Sequence, residues 1–232
     1  MYFRHSSQIW TDYPELVPGV LFAEIMTRDV SVGSRVAPFN AIARSRLAST
    51  SEGELPEIRA WRRAFSRMGL KPTQYRCASE SLLRRFRKEH SLQQIHPLID
   101  LCNAISLAFA IPVAVFDVAE ITGYIEVRYA DGDESYRTFS GGIEKPDAHE
   151  VIFADSARRA HARRWTNRQS SYSAVRDTTT ASLIVAEAMH SSAPTDVKNL
   201  IAAIAGELTV IWSVTPKTMI LSQSSPRFEF AE

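Results

Sequence analysis

The chain has 232 residues, with 27 lysines and arginines against 26 aspartates and glutamates, a net charge of +1 and 45% hydrophobic residues. That composition suits a globular protein with a full core, and no apolar run approaches the ~20 residues that cross a bilayer, so no membrane partner is expected. Cys77 and Cys102 are too few for a disulfide framework and lie in no metal-ligand spacing; the opening Met1-Tyr-Phe-Arg-His-Ser-Ser-Gln8 lacks a secretory signal's pattern, so a cytoplasmic location, no cofactor and no metal are expected.

Residues 11–30 open with turns at Pro14 and Pro18-Gly19, followed by an expected strand over Val20–Ile25. A polar linker, residues 49–54, precedes a helix that starts near Pro56. Ile58, Trp61, Phe65 and Met68 line one face of it, and Gly69 marks its exit. Ser79 can cap a second helix that turns Leu82, Leu83 and Phe86 inward and Arg84, Arg85, Arg87 and Lys88 outward. The stretch Leu98–Leu107 is apolar nearly all round, as a buried central helix is.

From 112 to 155 short alternating runs predict sheet, with a hairpin at Ala130-Asp-Gly-Asp133; the apolar run Leu183–Ala188 reads as a further buried strand, with a helix as the alternative that periodicity leaves open. A helix opened by Ala193-Pro-Thr-Asp196 should end at Gly206, ahead of a last strand over Thr209–Val214 and a loose tail after Ser222. Helices first, strands in the middle and mixed elements last argue for one α+β domain over residues 1–232.

One polar pair, Cys102-Asn103, interrupts the apolar run Ile99-Asp-Leu-Cys-Asn-Ala-Ile105, which breaks at Pro112 into Ile111-Pro-Val-Ala-Val-Phe-Asp117. A buried amide without a partner costs about 1–3 kcal/mol, so Asn103 either ties the helix to a neighbour or serves a site. The order of these two segments resembles the B3/B4 module of the bacterial phenylalanyl-tRNA synthetase beta subunit, which typically reads V-D-V-T-N-Y-V and then P-L-H-A-F-D. The resemblance continues through Ile121–Arg128, Gly132-Asp-Glu134, Glu150–Asp155 and Thr178–Glu187. It covers about residues 55–190, with 1–50 as an N-terminal extension packed on that core and 191–222 as a closing helix and strand.

The resemblance implies a layered fold with a β-sandwich-like core and flanking helices, and a site that hydrolyses tRNA charged with the wrong amino acid. Residue by residue, Cys102 falls on the family's Thr, Asn103 on its Asn, Pro112 on its Pro, and Glu187 near the Glu that reads a tyrosine hydroxyl. Ala114 replaces a His that helps to hold substrate, and an alanine can neither bind a ribose hydroxyl nor move a proton. In place of the family's glycine-rich loop stands Ala162-Arg-Arg-Trp-Thr-Asn-Arg-Gln-Ser-Ser171. There Arg163, Arg164 and Arg168 surround Trp165, with Asn167 and Gln169 as amide readers. An aromatic among arginines suits stacking on a base and forked binding of phosphate or carboxylate, and equally a core Trp with surface arginines.

Asn103, His161 and Glu187 are the candidate catalytic residues; Cys102, Pro112, Ala114, Arg163, Arg164, Trp165, Asn167 and Arg168 are the candidates for substrate binding. The basic stretch 59–88 supplies Arg62, Arg63, Arg67, Arg76, Arg84, Arg85 and Lys88 as candidates for nucleic-acid phosphates, or simply as solvated helix faces. The implied partner is the aminoacylated acceptor end of tRNA, with no DNA. The implied activity is deacylation in trans, the alternative being a non-catalytic module for an amino acid, a nucleotide or the acceptor end. At this length the chain is not expected to charge tRNA itself.

Overall fold

A computed structural model describes residues 1–24 and 29–231. Two sheets face each other, and helices cover the far side of the smaller one. The larger sheet contains β1 (Tyr2–His5), β4 (Tyr124–Tyr129), β7 (Val151–Asp155), β8 (Ala160–Arg163), β9 (Arg168–Gln169) and β12 (Arg227–Glu229), in the order β12-β1-β4-β7-β8-β9. Only the β1–β4 pair in it is parallel. The smaller sheet is antiparallel throughout, in the order β11-β2-β10-β3, from β2 (Val17–Glu24), β3 (Val113–Asp117), β10 (Ala181–Ala188) and β11 (Lys217–Ile220). β5 (Tyr136–Arg137) and β6 (Ile143–Glu144) pair separately.

Two-residue alternation sorts the strands of the smaller sheet onto two cores. Val20, Phe22, Phe116, Leu183 and Val185 face the larger sheet, where they meet Phe3, Ile125, Val127 and Phe153. Leu21, Ala23, Val115, Ile184 and Ala186 face the other way, onto α5 (Pro97–Phe109) and α6 (Ala193–Trp212). The Phe116 and Phe153 rings lie 5.4 Å apart across the sandwich. The α+β class and the sandwich-like core are thus as the sequence led one to expect.

α3 (Pro56–Arg67) and α4 (Ala78–Glu89) close one end of the sandwich with Ile58, Trp61, Phe65, Leu83 and Phe86. Pro56 sits at the start of α3, where its missing N–H is harmless, and Gly69 leaves it at φ +74°. α4 begins after Cys77 and is not capped by the Ser79 side chain, which is buried against the Cys77 thiol. α5 starts with Pro97 behind His96, whose Nδ1 accepts the Leu98 N–H, and it is buried along most of its length.

Several sequence expectations are corrected. The expected strand over 209–214 is the last turn of α6: the Thr209 hydroxyl donates to the Ala205 carbonyl, and the helix ends where Ser213 turns left-handed at φ 55°. Gly206 does not stop it, since an interior glycine costs only ~1 kcal/mol. The tail is not loose, for β12 pairs with β1 and buries Phe228 and Phe230. The first residues form β1 and a short helix α1 (Ser7–Asp12), so β1 is an interior strand of the larger sheet. The turn at 130–133 makes no hairpin, because the antiparallel partner of β4 is β7. The linker 49–54 contains a 3₁₀ turn that buries Glu52, and α2 (Gly33–Ser49) lies ahead of it. Ile25, assigned to the strand of 20–25, falls outside the described residues.

Candidate functional site

Between the edge strand β3 and the β8–β9 edge of the larger sheet, the sandwich opens into a hollow of about 60 Å³. Pro112 and Ala114 form one wall, Val185 and Glu187 of β10 another, and the turn 165–169 the third, with Phe153 and Ala162 beneath. The Gln169 amide donates to the Val115 carbonyl at 2.6 Å, joining the edges of the two sheets.

The third wall is held in an unusual backbone conformation. Arg164 and Trp165 are both left-handed, at φ 46° and 56°. Each such non-glycine residue costs about 1–3 kcal/mol and persists only where its surroundings fix it. Here the Arg164 N–H donates to Glu150 Oε1 at 2.8 Å and the Trp165 N–H to the Val151 carbonyl at 2.7 Å. The Ala78 N–H, at the start of α4, donates to the Thr166 carbonyl, and the Asn167 amide to the Arg76 carbonyl. The turn therefore sits on the N-terminus of α4.

Its product is a fully buried indole. Trp165 stands edge-on to Trp61 and Tyr13, with ring centroids 5.2 and 4.8 Å away. Its Nε1 lies 3.1 Å from both carboxylate oxygens of Glu187. Glu187 is itself buried, and its Oε1 lies 2.6 Å from His5 Nε2. The carboxyl group thus has a hydrogen-bond partner at each oxygen, as a buried polar group requires. Thr166 also lines the hollow, and its Oγ1 has no partner among the described residues.

Six of the candidate residues (Pro112, Ala114, Trp165, Asn167, Arg168 and Glu187) converge on this hollow. Asn103 does not. It lines a second hollow, of about 270 Å³, with Val36, Asn40, Gln93 and Gln94 between α2 and α5. Cys102 is buried in the core shared by α5, α6 and the smaller sheet. The smaller sheet explains both: α5 packs on one of its faces, while Ala114, Val185 and Glu187 belong to the other. The expected joining of the Cys102-Asn103 dyad with Trp165 in one hollow is therefore not realised.

His161 is buried outside the hollow, its Nδ1 2.8 Å from Ser173 Oγ and its Nε2 3.2 Å from Asp155 Oδ2. Burial raises the Asp155 carboxyl, but His161 and the Arg159 N–H groups outweigh it and hold the group at about 2. Burial pushes both thiols, Cys77 and Cys102, up to about 12, so neither is a ready nucleophile. Arg163 is buried too, forked onto Glu150 with two contacts of 2.9 and 2.8 Å and reaching Glu144 at 2.8 Å. Arg164 also lies off the hollow, over the Tyr75 ring. Arg168 is exposed at the rim, 3.4 Å from Glu144.

The basic helices are largely paired. Arg62 and Arg76 hold buried Glu80; Arg84 and Arg87 hold buried Glu52; Arg67 reaches Glu15 and the Asp12 carbonyl. Among the described residues Arg63, Arg85 and Lys88 are exposed without an acidic partner, the last two beside Arg84 and Arg87 along a shallow groove. Among the described residues two acidic clusters have spacing that could suit a cation, but guanidinium groups already pair with them. Arg46 binds Glu57 beside His190 and Asp196; Arg158 and Arg128 bind Asp131, Asp133 and Glu134.

The family model described as "B3/4 domain" matches residues 60–199, a span that holds every residue lining the Trp165 hollow. The chain belongs to the B3/4 domain family. The phenylalanine–tRNA ligase beta subunit of Shewanella oneidensis is 30% identical over 71 residues, 31% of this chain and 9% of that subunit. The Vibrio cholerae beta subunit is 34% identical over 64 residues, 28% of this chain and 8% of its own length. An N-terminal fragment of the Pyrococcus horikoshii phenylalanyl-tRNA synthetase beta subunit superposes with a TM-score of 0.49 at 9% identity, over 95% of this chain and 54% of that one.

In this B3/4 domain, sequence reasoning missed His5 and Thr166. His5 meets Glu187 across 182 positions, and no local pattern reports such a pairing. Thr166 lies between Trp165 and Asn167 in the arginine-rich run, where a single hydroxyl carries no pattern of its own.

Proposed function

We propose that this B3/4 domain docks the aminoacylated 3′ end of a tRNA at the rim of the Trp165 hollow, with the amino acid turned inward, and hydrolyses a wrongly attached amino acid in trans. The observation that carries the reading is the convergence of Pro112, Ala114, Trp165, Asn167, Arg168 and Glu187 on one hollow inside the family-matched span. An aminoacyl ester is already activated, so the site needs chiefly to hold the ribose and amino acid and to place a water. The side-chain carbonyl oxygens of Asn167 and Gln169, whose amide groups are held by the Arg76 and Val115 carbonyls, and the exposed Arg168 at the rim are the groups suited to that task. Arg85 and Lys88, with the outer faces of Arg84 and Arg87, would take backbone phosphates.

A second reading, binding without turnover, is favoured by a separate observation. Asn103 and His161 lie away from the hollow, and both oxygens of Glu187 already have donors. Incubation with a panel of mischarged tRNAs separates the two. Loss of ester at a rate proportional to protein supports hydrolysis; saturable binding with intact ester supports the binder. Binding of no charged tRNA removes both.

A further inference from the structure

We infer that Trp165 is a built-in plug that restricts the hollow to short side chains, making the ligand an amino acid of the alanine-to-valine size class and not an aromatic one. The inference rests on the reading that the hollow receives the amino-acid part of the ligand. Ligand pockets usually enclose about 300–1,000 Å³. The space left here is about 60 Å³, well below that range, so it suits a small side chain better than an aromatic one.

What fills the remainder is the indole, and the protein holds it there against backbone strain. Two consecutive residues are left-handed, two main-chain N–H groups pin the turn, and two aromatic edges clamp the ring. The indole N–H also occupies Glu187, the sole carboxylate among the lining residues, so that group is not free to read a hydroxyl carried by the ligand. The surfaces left open are the side chains of Pro112, Ala114, Ala162 and Val185, which suit a small aliphatic group. Asn167, Gln169 and Arg168 stand at the rim for the polar part that carries it.

The test uses the full chain and 3′-aminoacylamido-3′-deoxyadenosines bearing alanine, valine, phenylalanine or tyrosine, titrated by calorimetry beside a charged tRNA. The wild type should bind the alanine and valine compounds about tenfold or more tighter than the aromatic ones. Trp165→Gly, which suits the left-handed φ and empties the hollow, should narrow or reverse that ranking, and Trp165→Phe should keep it. Added indole should raise the thermal midpoint of Trp165→Gly and leave the wild type unmoved.

A wild type that prefers the aromatic compounds overturns the plug whether or not the variants fold. So does a Trp165→Gly protein with the wild-type ranking, or binding of charged tRNA with no compound bound. In all three cases the acceptor-end reading survives if charged tRNA binds. Absence of binding to charged tRNA and to every compound removes both.

Discussion

Two stretches of this chain read alike as sequence and behave differently as structure: the basic helices of residues 59–88 and the arginine-rich turn of 158–168. At the helices the paired glutamates, Glu80 of α4 and Glu52 of the preceding 3₁₀ turn, are buried and the guanidiniums lie outside them. Glu80 and Glu52 each hold two arginines, so each cluster keeps a net positive charge at the surface. In the turn one guanidinium goes inside, for the Arg163 side chain is 5% exposed and spends its fork on Glu150, while Arg158 and Arg168 stay outside. The exposure of the guanidinium, more than the number of arginines, decides whether a basic stretch can meet a phosphate.

The sharpest way to break that comparison is to truncate one arginine of each kind. Arg163→Ala leaves Glu150 buried and without its forked partner, which costs about 3–5 kcal/mol. It should also loosen the turn that Glu150 pins through the Arg164 N–H. Arg85→Ala, at an exposed site, should change stability by less than about 0.5 kcal/mol. Urea titrations of both variants check this. Equal losses would show that the two stretches do the same job.

A second effect, about 2 kcal/mol, separates the buried polar network of the turn from the helices by pH. The Asp155 carboxyl is held at about 2, below the ~3.9 of an unfolded chain. Because the folded value is the lower one, its contribution is complete above about pH 4 and is lost as pH falls towards 2. Asp155→Asn should therefore be less stable than wild type at pH 6, and the gap should close by pH 2. A gap that is constant with pH would show that the His161–Asp155 contact carries no charge-dependent stabilisation.

How much of this was legible depended on whether a signal was local. α3 and α5 announce themselves by helical spacing and an N-terminal proline, and β10 by an apolar run bracketed by polar residues. β1 and β12 do not, because their pairing joins the two ends of the chain and neither has a pattern of its own. α2 buries only Ala43 among its described residues, so it lacks the stripe that marks a helix. Thr209-Val-Ile-Trp212 reads as strand from its β-branched and aromatic residues, yet Val210 is exposed and the chain simply extends a helix already formed.

The site divides in the same way. The Pro112–Ala114 wall and the turn at Trp165 could be read from motif order, and six candidate residues do meet. Asn103 was misplaced because sequence gives its nearness to Pro112 along the chain but not the sheet that stands between α5 and the hollow. Trp165 as a plug, and His5 beneath it, follow only from strands brought together over long separations.

The smallest expected effect bears on whether the helical groove is a nucleic-acid surface at all. Arg85→Ala and Lys88→Ala each remove one exposed cation that has no acidic partner among the described residues, while Arg84 and Arg87 beside them remain tied to Glu52. If phosphates lie along this groove, each substitution should weaken tRNA binding and flatten the dependence of log affinity on log salt by about 0.7 per phosphate lost. The same change at Arg163, buried among carboxylates, should leave the salt slope where it was in whatever fraction stays folded. Filter-binding titrations over a range of salt read both quantities, because a site that contributes charge changes the slope, whereas one that only holds the fold changes the amount of active protein. Unchanged slopes for Arg85→Ala and Lys88→Ala would move the phosphate path off α4 and leave the Arg168 rim as the remaining exposed cation beside the hollow.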